Sequence, residues 1–179
     1  MILDKLTDTP SPKVTKRLMI CSFIGILIMY GMMGIFFFSS GYPADFFTSQ
    51  LLSNGAALKD HYARTANIDL YRIGQILDYV FMVFYGILIF SLCLNIGRKF
   101  EEDSKIRKSG YIMAILGPTA AILDGCENAF ILAMLSNPSG FPDIWATIHS
   151  IFALIKWIIL VSVILWALSM SILAKRRNF

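Results

Sequence analysis

Charge is scarce in this 179-residue chain. Asp, Glu, Lys and Arg make up 16% of it, against 56% hydrophobic residues. A soluble domain is nearer one-quarter charged. Cysteine is scarce as well. Cys21, Cys93 and Cys126 lie far apart with no C-x-x-C pair. That argues against a disulfide framework and leaves them as small apolar packing residues. Only two histidines occur, and no compact set of His, Cys, Asp and Glu has metal-ligand spacing, so neither a metal nor another cofactor is expected. P-loop, zinc-protease, nucleophile-elbow and alcohol-phosphatidyltransferase patterns are all missing. The net charge of +4 does not point to nucleic acid. The bases flank apolar runs, and no basic face with interleaved aromatics lies outside them.

What the chain does have is long apolar blocks. Four are long enough to cross a bilayer, which needs roughly 20 apolar residues: about 17–38, 73–96, 110–135 and 144–173. The fold class expected is all-α, an integral membrane four-helix bundle forming a single domain over 1–179. The first block exceeds a signal-peptide core and no A-x-A-like site follows it, so it reads as a retained span. Residues 1–16 read as a short polar tail. In the first link, Phe47, Leu51, Asn54 and Leu58 recur at helical spacing, broken by Asn54-Gly55. This predicts one or two short amphipathic helices in the first outer loop. His61 and Arg64 are the polar residues of interest there, with a solvated face as the bland explanation.

Twelve of the sixteen bases fall before the first block, between the second and third, or after the fourth. The positive-inside rule then places both termini in the cytoplasm, and the plasma (cell inner) membrane is the expected location.

The third block holds what hydrocarbon should exclude: Leu123-Asp124-Gly125-Cys126-Glu127-Asn128. Ionisable residues inside a span are costly and mark candidate functional sites. Asp124, Glu127 and Asn128 share a helical face at i, i+3, i+4. A ladder of Gly117, Ala121, Gly125, Ala129 and Ala133 predicts close approach of another helix, and Gly117-Pro118 predicts a kink. The second block adds Asp78 and Tyr85, with Gln75 and Met82 on the same face. The fourth adds His149, Lys156 and Trp157. Counted from the outer ends, Asp124 and Lys156 both lie ~16–18 Å deep. The inner half carries no ionisable group between its ends. The pattern predicts a polar pocket reachable from the outer side and closed below. Lys156 and Asp124 can neutralise each other, with Asn128 and Tyr85 supplying hydrogen bonds, which leaves Glu127 and Asp78 over.

Leu77-Asp78-Tyr79-Val80-Phe81, Tyr85-Gly86, Leu123 to Asn128 and Lys156-Trp157 together resemble a pattern in uncharacterised microbial four-helix membrane proteins, over about residues 71–165. The resemblance strengthens the cluster as a unit and implies no particular chemistry.

Three functions fit. The pocket binds, and could transform, a lipid or small amphiphile. Glu127 or Asp124 is then the acid/base and His149 a proton relay, while Asp78, Tyr85, Asn128, Lys156 and Trp157 contact the ligand. Alternatively, the chain is a structural or accessory subunit of a membrane complex, its buried charges only stabilising the bundle. The third function is a small oligomeric transporter. The expected partners are membrane lipids, an amphiphilic ligand, and a second copy or a membrane-complex subunit.

Overall fold

The computed structural model describes residues 2–177. The side chain of Arg177, one of the bases counted in the carboxy-terminal tail, lies outside the described residues. Among the described residues all regular structure is α-helical: α1 (Ile2–Lys5), α2 (Pro12–Ser40), α3 (Phe46–Leu51), α4 (Gly55–Arg64), α5 (Ile68–Gly97), α6 (Lys105–Ser136) and α7 (Asp143–Arg177). The architecture is an all-α four-helix bundle. Helices α2, α5, α6 and α7 are each long and apolar enough to cross a membrane. Side chains such as Phe23, Leu27, Ile122, Ile158 and Leu165 are more than half exposed. On helices of this length such a surface is made for lipid, and the chain is a polytopic membrane protein with charges buried inside it.

The four helices outrun the apolar blocks at both ends because polar caps, rather than hydropathy, set where a helix begins. The Ser11 hydroxyl accepts from Val14 N, Asn67 Oδ1 from Asp69 N and Leu70 N, and the Ser104 hydroxyl from Arg107 N. Each satisfies amides that the first helical turn leaves open. Helix α2 also starts on Pro12, a residue suited to a first helical turn. It stops at Gly41, whose φ of +64° is the left-handed conformation that closes a helix and that glycine adopts freely.

By contact the chain divides into two compact units. One comprises the chain up to Gly25, Val83–Ala121, and the chain from Trp157 on. The other comprises Ile26–Met82 and Ile122–Lys156. In the first unit, Cys93, Leu94, Ile96, Phe100, Tyr111, Ala114, Val163 and Ala167 make the core. The amino-terminal segment, expected to be a simple polar tail, is tied to this core. Leu3 and Leu6 pack on it, and Arg98 donates to the Leu6 carbonyl at 2.7 Å and to the Thr15 hydroxyl at 3.1 Å. Gly86 and Ala121 bring α5 and α6 close, and Gly117 faces Ile89. Helix α6 continues through Pro118 without ending.

The second unit has its own core of Leu58, Tyr62, Tyr71, Ile131, Met134, Leu135, Phe141 and Ala146. Here the small-residue ladder continues: Gly125 lies against Met82, and the Tyr79 hydroxyl donates to the Gly125 carbonyl at 3.1 Å. The ladder's expected partner helix is thus α5 in both units. The amphipathic stretch forms two helices, α3 and α4. Asp45 caps α3 by accepting from Thr48 N at 2.9 Å, and Asn54 caps α4 by accepting from Ala57 N at 3.1 Å. Lys59 pairs with Asp143 at 2.7 Å and fixes α4 to the start of α7. Arg72 donates to the Leu135 carbonyl at 2.8 Å, satisfying an open carbonyl at the end of α6.

Candidate functional site

Three helices of the second unit bring the intramembrane charges together. On α6, Asp124 and Glu127 stand one turn apart. From α7, Lys156 Nζ donates to Asp124 Oδ1 at 2.7 Å and to Glu127 Oε2 at 2.6 Å. From α5, Asp78 accepts from Asn128 Nδ2 at 2.8 Å through Oδ2. Relative exposures are 2% for Asp78, 4% for Asp124, 0% for Glu127, 1% for Asn128 and 2% for Lys156. Water therefore does not screen these groups, and each charge depends on its protein partners.

The expected pairing of Lys156 with Asp124 alone is replaced by a bridge. An ammonium carries three donors, and two carboxylates at i, i+3 present their oxygens side by side, so one lysine serves both. Asn128 bonds Asp78 rather than the Lys156–Asp124 pair. Three buried carboxylates thus accompany one buried ammonium, which bonds two of them. Among the described residues no Lys, Arg or His forms an ion pair with Asp78, and Glu127 Oε1 and Asn128 Oδ1 have no hydrogen-bond partner.

His149 is buried, and its Nε2 lies 3.2 Å from the Leu52 carbonyl and 3.3 Å from the Ser150 hydroxyl. A carbonyl only accepts, so Nε2 is the donor. Nδ1 is buried with no partner among the described residues. The imidazole's hydrogen bonds therefore hold the α3–α4 link and not the acids. Thr147 adds a bond to the Ser53 carbonyl at 3.3 Å. Tyr85 and Trp157 belong to the first unit, where Tyr85 is buried and Trp157 half-buried. Arg64 is exposed and pairs with Asp60.

A cavity of about 490 Å³ lies in the second unit, walled by Phe37 and Phe38 of α2, Tyr42 of the α2–α3 link, Phe46 and Ser49 of α3, and Tyr71 and Gln75 of α5. The Tyr42 and Tyr71 rings stack at 4.3 Å. His61 meets Tyr42 edge-on at 5.8 Å, its Nδ1 3.5 Å from the Tyr42 hydroxyl. Burial pushes the Tyr42 phenol up to about 12, so it keeps its proton near neutral pH. A second cavity, about 260 Å³, is lined by Tyr30, Met33, Gly34, Phe37, Phe46 and Phe81. Phe37 and Phe46 belong to both walls. None of Asp124, Glu127, His149 or Lys156 belongs to either. Gln75 supplies the link to the acids, since Asp78 follows it by one helical turn, about 5–6 Å between Cβ atoms.

Sequence reasoning missed this aromatic cavity. Its walls come from three separate segments, and aromatic residues at a span end have an ordinary interfacial explanation. The available signal was Gln75, a buried amide on the Asp78 face. No family model, curated protein or solved structure matches the chain. The site is defined by its own geometry.

Proposed function

We propose that the protein binds a lipid or small amphiphile in the paired cavities of the second unit. The observation that carries this is the shared wall of Phe37 and Phe46. It separates a space edged by Tyr42, Ser49 and Gln75 from one that is almost wholly apolar. A polar head suits the first and a chain suits the second. The larger volume is in the ordinary range for ligand sites. The reading is binding rather than chemistry, because Asp124, Glu127 and His149 wall neither cavity. The distribution of bases supports both termini on the cytoplasmic side and the cavities toward the outer face, with the plasma membrane as the proposed location.

The test is native mass spectrometry with lipidomics on gently purified protein, wild type against Gly34→Phe. Gly34 lines the apolar cavity, and a Cβ there meets no atom within 4 Å, so a phenyl ring is added at the cavity wall without a backbone clash. A molecule that co-purifies with wild type and is lost from the variant supports the reading. Identical retention by both, or none by a well-folded wild type, overturns it.

A second reading, a structural or accessory subunit, is favoured by the two-fold engagement of Lys156, since a buried bridge from one lysine to two carboxylates can serve stability alone. If Lys156→Met combined with Asp124→Asn and Glu127→Gln keeps both fold and ligand, that role is correct for the bridge.

A further inference from the structure

We propose that the head group held in the larger cavity is cationic, a substituted ammonium, with Asp78 as its counter-ion. The inference rests on the binding reading above and names the ligand's charge.

Two independent observations converge. The cavity wall is aromatic on α2, the α2–α3 link, α3 and α5: Phe37, Phe46, and the stacked pair Tyr42 and Tyr71. Ring faces carry partial negative charge and attract ammonium groups, most strongly where water is excluded. One turn from Gln75 on either side stand Arg72, already paired with Asp69 and bonded to the Leu135 carbonyl, and Asp78. Lys156 is engaged by Asp124 and Glu127, so Asp78 is the carboxylate in excess, and its hydrogen bond comes from the uncharged amide of Asn128. A buried carboxylate without a base is costly. Gln75 in the cavity wall precedes Asp78 by one turn on the same face of α5. Asp78 lines neither cavity, but a ligand ammonium against the rings beside Gln75 lies about one helical turn from this unbalanced charge, where an anionic head meets repulsion. The neighbouring cavity of Tyr30, Met33, Gly34, Phe37, Phe46 and Phe81 suits an attached alkyl chain.

The experiment offers purified protein in neutral detergent three probes of equal chain length: decyltrimethylammonium, monodecanoylglycerol and decyl phosphate. Binding is read by native mass spectrometry and by thermal shift. Wild type is expected to hold the ammonium probe at least tenfold more tightly than the neutral one, with the phosphate weakest. Asp78→Asn keeps an acceptor for Asn128 and is expected to bring ammonium and neutral probes within about twofold. Should that variant fail to fold, Tyr42→Leu removes one ring of the stacked pair and is expected to lower the same ratio at least threefold. Equal binding of all probes, or preference for the phosphate, overturns the cationic assignment and leaves the binding reading standing. Binding of none overturns both.

Discussion

Asn128 donates its side-chain amide to the Asp78 carboxylate at 2.8 Å, joining α6 to α5 between two side chains buried to 1% and 2% exposure. This bond is the only one Asp78 makes through its side chain among the described residues. Replacing Asn128 with Leu keeps the volume and removes the donor. The loss expected is about 3 kcal/mol, the upper part of the range for a buried polar group left unsatisfied. Asn128→Asp sets a second carboxylate against the first and is expected to cost more. Unfolding in mixed micelles, followed by tryptophan fluorescence, ranks the two. Equal stability of Asn128→Leu and wild type would refute the assignment.

Lys156 holds two carboxylates, so its removal strands both. Lys156→Met is expected to destabilise the protein by about 3–5 kcal/mol. Adding Asp124→Asn and Glu127→Gln to that variant removes the stranded charges and is expected to recover most of the loss. The same unfolding assay checks this. A triple variant no better than Lys156→Met shows that packing of the lysine stem, rather than charge, supplies the stability.

Helix α4 sits tight against the start of α7. A Cβ on Gly55 comes within 2.8 Å of the Asp143 Cα, and backbone cannot yield as a flexible side chain can. Gly55→Ala is therefore expected to lift α4, at about 1–3 kcal/mol. Hydrogen exchange checks it. Faster exchange is expected in Gly55–Arg64, with α6 unchanged. Unaltered protection of α4 would contradict the close docking.

Asp45 gives a pH dependence outside the membrane segments. Hydrogen bonds from Thr48 hold its carboxyl below the ordinary value of 3.8. A depressed carboxylate contributes stability above its unfolded value, and that stability is lost as pH falls through the folded one. The first turn of α3 is thus expected to loosen at acid pH, below the ordinary Asp range, and to stay constant near neutrality. Exchange of the Thr48 amide against pH measures it. Asp45→Ala is expected to exchange fast throughout and to lose the acid step.

The bundle and its acid cluster were legible in the sequence for one physical reason. Charge inside a 20-residue apolar run is too costly to be accidental, so Asp78, Asp124, Glu127 and Lys156 announce themselves. Depth counting even brought Asp124 and Lys156 level. The partition of bonds among them was not legible, because i, i+3 spacing allows one lysine to serve one carboxylate or two, and side-chain geometry decides. The amino-terminal segment reads as a short polar tail, and its attachment to the first unit was not legible. Its attachment runs through Arg98 to a main-chain carbonyl at Leu6, and no pattern of residue types encodes that. The aromatic cavity was hidden for a related reason. Phe37, Tyr42, Phe46 and Tyr71 are unremarkable where they stand in the chain and become a wall only when α2, α3 and α5 meet.

The first turns of α7 grip the α3–α4 link by its main chain: His149 takes the Leu52 carbonyl and Thr147 the Ser53 carbonyl. Every residue type offers that carbonyl. The dependence therefore runs in one direction. Ser53 can drift through substitution without loosening the link, while Thr147 and His149 must keep their donors. In a set of natural variants, variation at 53 and restraint at 147 and 149 would mark this attachment before any ligand was known.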